Sequence, residues 1–171
     1  MAFLRVSSLD VSASRRPAWL GGRPGPSLTD IDLMLEEGSL CTVFGPAGAG
    51  KSLLLQTLAG LHRPRRGQVV LDGVDVTRLP VGRRRTALVP AVPVVYPALT
   101  VEENLAWPLR RQRLSPEQLR RQVTEMASLL GVLDVLHVRA GQLAPATAQR
   151  VAIGRALIRE DLGLLLLDDA L

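Results

Sequence analysis

The sequence predicts an α/β fold in which a parallel sheet core carries an N-terminal antiparallel β subdomain and an inserted α-helical subdomain. Three observations predict it: apolar residues alternate over Leu28–Leu35, a Gly-rich loop separates an apolar run from a helix-forming segment, and a late apolar run ends in two carboxylates. We expect a single domain, with residues 1–92 and 146–171 forming the core and residues 93–145 forming the helical subdomain.

The elements of the first half follow from periodicity and turn residues. Leu28–Leu35 predicts a strand that ends at a Glu-Glu-Gly turn, and the apolar run Ser39–Phe44 predicts a buried strand. Lys51–Gly60 is rich in helix formers and ends in glycine, which predicts a helix. Gly67–Val76 predicts a hairpin, because Asp72-Gly73 is a typical turn pair between apolar residues.

The elements of the second half are mainly helical. Thr100 with Glu103 predicts a capped helix start, and Ser115 with Gln118 repeats the signal before a helix that stops at Gly131. The second helix carries one apolar stripe, which we interpret as core: Leu119, Val123, Met126 and Leu130. The run of four leucines before Asp168 predicts the last buried strand.

Composition excludes several classes of protein. The formal net charge is +5, but the arginines stand in short clusters that are typical of solvated loops and helix faces and contain no aromatic residue, so we expect no nucleic-acid partner. Cys41 is the only cysteine, which excludes a disulfide within the chain. No apolar run approaches the ~20 residues of a membrane span, so we expect a soluble or peripheral chain without a signal peptide.

The Gly-rich loop is the strongest motif. "GPAGAGKS", Gly45–Ser52, fits G-x-x-x-x-G-K-[ST], and Lys51 is the only lysine of the chain. Glycines let backbone N–H groups form an anion nest, the helix N-terminus adds positive potential, and Ser52 offers a hydroxyl to Mg²⁺. The loop therefore predicts a P-loop NTPase core. The candidate nucleotide-binding residues are Gly45, Pro46, Ala47, Gly48, Ala49, Gly50, Lys51, Ser52 and Leu53.

Two carboxylates are candidates for the metal and the water. A P-loop enzyme needs a further Mg²⁺ anchor, and Asp168 follows the apolar run at the expected place. Asp169 beside it is the candidate catalytic residue that orients the attacking water. An acidic turn after a buried strand is the alternative interpretation of the pair.

The class of P-loop enzyme is narrowed by elimination and by resemblance. A GTPase would need a second lysine in N-K-x-D, which this chain lacks. A small kinase would need a lid with catalytic arginines, which the arginine clusters could supply, but the long separation of the loop from Asp168, with helices between, fits another family better. The phosphate loop, "QRVAIGRALIRE" and "LLLLDD" together resemble the ATP-binding-cassette (ABC) transporter ATPases over nearly the whole chain. "DGVDVTRLP" and "YPALTVEENLAWPLR" are similar to the branch that serves bacterial carbohydrate and polyol importers of the maltose, glycerol-phosphate and glycerol types.

The resemblance implies cofactors, partners and a location. ATP and Mg²⁺ are the implied cofactors, and Trp19 matches the aromatic residue that stacks on adenine, although packing of a loop Trp explains it equally well. The implied partners are permease subunits and a second ATPase subunit, in a homo- or heterodimer. The implied location is cytoplasmic, peripheral on the inner face of the bacterial plasma membrane.

The chain departs from the family at three positions. Ala91 stands for a Gln, Leu143–Thr147 reads "LAPAT" where the family has L-S-G-G-Q, and Asp169 stands for a catalytic Glu. The family also continues beyond this point with a switch His, so we expect a C-terminally truncated domain. We therefore expect weak or no turnover by this chain alone. The alternative hypothesis is an ATP-binding remnant; a cassette protein acting on ribosomes or DNA fits the importer-like segments less well.

Overall fold

The computed structural model describes residues 2–13 and 26–170. The chain divides into two compact units, Met1–Thr86 and Ala87–Leu171. Strands and helices occur together in both, so the predicted α/β class is confirmed. In the described residues no helix combines the length and the apolar character that crossing a membrane requires.

An antiparallel sheet forms most of the first unit, as predicted for its N-terminal part. Its spatial order is β2-β1-β3-β4, and Val6 of β1 pairs with Leu33 of β2 and Val69 of β3. Burial of one apolar face holds the sheet in this register, because a one-residue slip would turn that face to solvent. The strands are β1 (Ala2–Ser12), β2 (Ser27–Glu36), β3 (Arg66–Leu71) and β4 (Val74–Asp75).

The hairpin and the helix of the first unit confirm two sequence predictions. Asp72 and Gly73 have φ values of 50° and 74°, the two positive angles of a tight hairpin turn. Helix α1, Lys51–Ala59, ends at Gly60, whose left-handed conformation closes its C-terminus. Its buried leucines pack against β1 and β2.

Arg84 is a buried cation in the first unit. Only 1% of its surface is exposed, and its guanidinium donates to the carbonyl oxygens of four residues: Thr57 and Leu58 at the end of α1, and Thr77 and Leu79 after the hairpin. Burial lowers the pKa of Arg84. The guanidinium thereby joins the C-terminus of the helix to the segment that follows β4.

The second unit is mainly helical. Both predicted capping boxes are present, with Thr100 Oγ1 accepting from the Glu103 N–H and Ser115 Oγ accepting from the Gln118 N–H. The stripe of α3 lies in or against the core, as predicted. The helices are α2 (Val101–Ala106), α3 (Pro116–Leu130) and α4 (Pro145–Leu157), with 3₁₀ turns at Trp107–Arg111, Leu133–Val135 and Ala140–Gln142.

Two short strands, one at the start and one near the end of the second unit, form a two-stranded sheet. β5 (Thr86–Val89) and β6 (Leu164–Leu167) are neighbours, and the Asp168 N–H donates to Val89 O at 2.9 Å. Because each of these residues lies at the carboxyl end of its strand, the pair runs parallel, as expected for an α/β core. Ala152 and Ala156 of α4 pack against this pair.

The prediction of a strand over Ser39–Phe44 is wrong. These residues adopt no regular structure, and the side chains of Leu40 and Phe44 are 93% and 89% exposed. An apolar run forms a buried strand only where neighbouring strands accept its backbone hydrogen bonds. The sheet of the first unit has β2 and β4 at its edges and does not include this segment.

Candidate functional site

The candidate phosphate loop is a left-handed glycine turn that opens directly into α1. Gly48 and Gly50 have φ values of 81° and 94°, and the Leu54 N–H donates to Gly50 O as the first helical bond. A Cβ on Gly50 would lie 2.8 Å from the Leu28 Cδ2 atom of β2. Glycine is favoured at this position by its backbone angle, and a Cβ would also require the Leu28 side chain to move.

Lys51 places its charge across the loop. Its Nζ donates to Gly45 O at 2.9 Å and to Pro46 O at 3.1 Å, so the ammonium lies beside the backbone that would surround an anion. The first turn of α1 contains no acidic residue. A helix N-terminus, a folded glycine loop and an ammonium group together fit a phosphate chain.

The remaining loop residues have different surroundings. The Ser52 side chain is exposed in the first turn of α1, where its hydroxyl suits Mg²⁺, whereas the Leu53 side chain is only 3% exposed and anchors the helix in the core. Trp19, the candidate adenine contact, lies outside the described residues.

The two candidate carboxylates follow β6 in the second unit. Asp168 is half-buried and is fixed through its backbone N–H, while Asp169 is exposed with φ of 50°. In the described part of the chain, no three His, Cys, Asp or Glu side chains gather as a ready-made metal site.

The "LAPAT" segment forms the exposed start of α4. Ala144 occupies the N-cap with extended backbone angles, and Pro145 is the first helical residue. Ala144, Pro145 and Ala146 are all exposed, so this end of the helix is open to another molecule. It offers no N-cap hydroxyl, and proline removes one N–H, so fewer donors are available to an anion.

Gln149 of α4 is a residue whose role the sequence did not reveal. Its Nε2 donates to Pro90 O and to Ala170 O, both at 3.1 Å, which ties α4 to the residues that follow β5 and β6. The only sequence signal was its place at the start of the segment "QRVAIGRALIRE". A side chain that reaches backbone atoms 59 and 21 residues away leaves no local pattern.

An aromatic and arginine cluster, also unpredicted, borders a pocket of about 310 Å³ in the second unit. The guanidinium of Arg155 lies 4.3 Å from the ring centroid of Tyr96, and that of Arg110 lies 4.1 Å from the Trp107 centroid. The two rings are 4.7 Å apart. Burial lowers the pKa of Arg155, whose Nη1 also donates to Val94 O.

Comparison with known families identifies the family over the part of the chain that contains the loop, α4 and the two late carboxylates. The sequence profile of the family described as "ABC transporter" matches residues 28–171. The chain belongs to this family, as an ABC transporter ATPase domain. The family binds ATP and generally requires Mg²⁺.

Named relatives span several transport systems. The chain is 39% identical over 142 residues to the molybdate/tungstate import ATP-binding protein WtpC of Pyrococcus abyssi, covering 83% of this chain and 41% of that protein. It is 40% identical over 134 residues to the sn-glycerol-3-phosphate import ATP-binding protein UgpC of Chromohalobacter salexigens, covering 78% and 36%. The chain therefore spans about two fifths of the length of these relatives.

A solved structure supports the fold. The chain is similar to cbiO1 of Clostridium perfringens, described as part of the ABC transporter complex cbiONQ, with a TM-score of 0.79 and 21% identity. The match covers 97% of this chain and 64% of that one.

Proposed function

We propose that this chain is the ATP-binding subunit of an importer and couples ATP binding and hydrolysis to uptake of a sugar, glycerol or related polyol. The observation that carries the proposal is the phosphate loop, in which Lys51 lies across a glycine turn at the start of α1. Its partners are permease subunits and a second ATPase subunit, identical or different. It acts in the cytoplasm, peripheral on the inner face of the bacterial plasma membrane.

The choice of solute rests on two sequence segments and one relative. "DGVDVTRLP" and "YPALTVEENLAWPLR" resemble the polyol branch, and one relative imports sn-glycerol-3-phosphate. Another relative is named for molybdate and tungstate, and a third, PotA of Protochlamydia amoebophila, for spermidine and putrescine. Uptake assays with each solute class in the assembled transporter separate these possibilities.

The residues of the phosphate loop and the two carboxylates have separate roles in the proposal. Backbone groups of Gly45–Gly50 hold the phosphates, and Lys51 adds a point charge. Ser52 and Asp168 bind Mg²⁺, which when bound offsets charge on the phosphates. Asp169 orients the attacking water, and because it is one methylene shorter than glutamate, it holds that water less well.

Nucleotide binding is the first test. Lys51→Ala should weaken the affinity for a fluorescent ATP analogue with Mg²⁺ at least about tenfold, as expected for a lost charge-assisted hydrogen bond. Arg65→Ala, which removes an exposed cation of the same unit, should leave the affinity unchanged. Equal affinities of the two variants would contradict the proposed phosphate site.

Turnover distinguishes the second candidate function, an ATP-binding remnant, which the "LAPAT" segment and Ala91 favour. The chain would be co-purified with permease subunits and ATP hydrolysis measured with and without Lys51→Ala. A Lys51-dependent rate supports the importer subunit; binding without any such rate supports the remnant. The triple change Ala144→Ser, Pro145→Gly and Ala146→Gly should raise the rate if the start of α4 limits it.

A further inference from the structure

Gln149 makes a bridge between the two strand ends of the second unit. Its Nε2 donates one hydrogen bond to Pro90 O, directly after β5, and one to Ala170 O, shortly after β6. We call these two bonds the Gln149 bridge. Both partners are acceptors, so only the amide nitrogen of the side chain can face them. Its Oε1 is buried and meets no donor in the described parts of the chain.

Asp169, the residue before Ala170, has a strained backbone conformation. Asp169 has φ of 50°, a left-handed conformation that disfavours residues with a Cβ, although aspartate tolerates it better than most. The preceding Asp168 N–H donates to Val89 O, and the carbonyl of the following Ala170 accepts from Gln149. Ala170 itself is buried. Asp169 is therefore fixed on both sides while its own carboxylate remains exposed.

We propose that Gln149 is a positioning residue that holds the backbone of Asp169 in this conformation and so aims its carboxylate. The inference rests on the proposed function, because Asp169 is the residue expected to orient water. Gln149 lies only one turn from Pro145, so the same helix that begins with the "LAPAT" segment sets the geometry of the carboxylate. The second bond, to Pro90, fixes the residue next to Ala91.

A purely structural function for Gln149 predicts different behaviour. If it only fastened α4 to the strands, its loss would have the same effect whatever residue stood at position 169. If it holds a strained conformation, its loss should matter less when position 169 is glycine, which adopts left-handed angles without steric cost.

The test is a double-mutant cycle read by amide hydrogen exchange. Gln149→Leu removes both donors at similar side-chain volume, and Gln142→Leu, on an exposed side chain of the same unit, is the matched control. The reporter is the Asp168 amide, which is hydrogen-bonded to Val89 O. Gln149→Leu should speed its exchange about tenfold, as the loss of two hydrogen bonds implies, and the control should leave it unchanged.

In the Asp169→Gly background the same substitution should speed exchange less than about threefold. Equal acceleration in both backgrounds, or none relative to Gln142→Leu, would overturn the proposal. Gln149→Glu, whose carboxylate cannot donate at neutral pH, carries the same comparison if the leucine variant does not fold. Titration of the unsubstituted chain with MgATP is a separate arm: absence of binding would refute the proposed function without affecting the exchange cycle.

Discussion

Arg84 illustrates how a single side chain organises the first unit. A buried guanidinium is stable only when its donors are satisfied, and here backbone carbonyls take them instead of a carboxylate. Two of these carbonyls end α1, where the helix dipole favours a cation. Gly60 leaves the space, because a Cβ there would lie 2.5 Å from Arg84 Nε.

Replacement of Arg84 should destabilise the protein strongly. Arg84→Met keeps an apolar stem but leaves two buried and two partly buried carbonyls without this donor, so we expect the free energy of unfolding to fall by at least about 3 kcal/mol. Arg83→Met, at an exposed neighbour, should change it by less than about 0.5 kcal/mol. Urea unfolding measures both; similar midpoints for the two variants would mean that the guanidinium contributes little.

Asp75 should contribute to the pH dependence of stability. Hydrogen bonds from the Thr77 hydroxyl, from Gln68 and from the Thr77 N–H lower the pKa of Asp75 below its ordinary value of 3.8. A carboxyl with a lowered pKa in the folded state stabilises the protein above its ordinary pKa, and this stabilisation disappears as the pH falls through the lowered value.

Asp75→Asn should therefore reduce the free energy of unfolding near pH 6 and have a smaller effect once the pH has fallen through the lowered pKa of Asp75. Urea unfolding at a series of pH values measures the difference between the two proteins. Asp134→Asn, at an exposed site, is the control for loss of one negative charge. A difference that is constant with pH would contradict this assignment.

At the scale of elements, Gly67 marks a close approach of β3 to β1. A Cβ there would meet the Ser8 carbonyl oxygen and would lie 2.6 Å from the Leu9 Cα, where the register of the two strands shifts. Its φ of 89° adds a backbone cost for any other residue. Gly73, in the hairpin turn, has a similar φ of 74° but open space around it.

The two glycines thus form a matched pair. Gly73→Ala should lower the free energy of unfolding by about 1 kcal/mol, because only the left-handed backbone angle disfavours alanine there. Gly67→Ala should lower it by at least about 2 kcal/mol more, because backbone atoms must also move. Chemical denaturation of both variants checks the difference. Equal losses would show that strand β3 shifts without appreciable strain.

Elements with local signals were predicted, and elements without them were not. The capping boxes at Thr100 and Ser115 act within four residues, so the sequence reveals them directly. Strand β5 is a short run before Pro90 and was not recognised, because its stability comes from pairing with β6, far along the chain. Ser39–Phe44 has the composition of a strand but lacks hydrogen-bonded neighbours.

The same distinction explains the candidate site. The loop Gly45–Ser52 is contiguous, and its roles follow from residue type at fixed spacing. The Gln149 bridge depends on tertiary contacts, so only the structure reveals it. The roles of Asp168 and Asp169 remain predictions from their place after β6.

At the scale of the whole molecule, the exposed segment Leu40–Phe44 should govern solubility. Contiguous exposed apolar side chains promote association. Leu40→Asp with Phe44→Asp should lower self-association in light scattering and change the free energy of unfolding by less than about 0.5 kcal/mol. Ser39→Asp with Thr42→Asp adds the same charge to the segment without removing apolar surface. A loss of several kcal/mol in the first variant would instead indicate that these side chains are buried.

The contacts of α4 have a consequence for how this chain tolerates change over evolutionary time. Gln149, Arg150 and Arg155 all bind main-chain oxygens, those of Pro90, Val94, Leu130, Gly131 and Ala170. Every amino acid has a main-chain carbonyl, so a substitution at one of the accepting positions leaves the hydrogen bond to α4 in place. The chain can therefore lose side chains with chemical functions at Ala91 and along "LAPAT" while the scaffold that displays those positions persists.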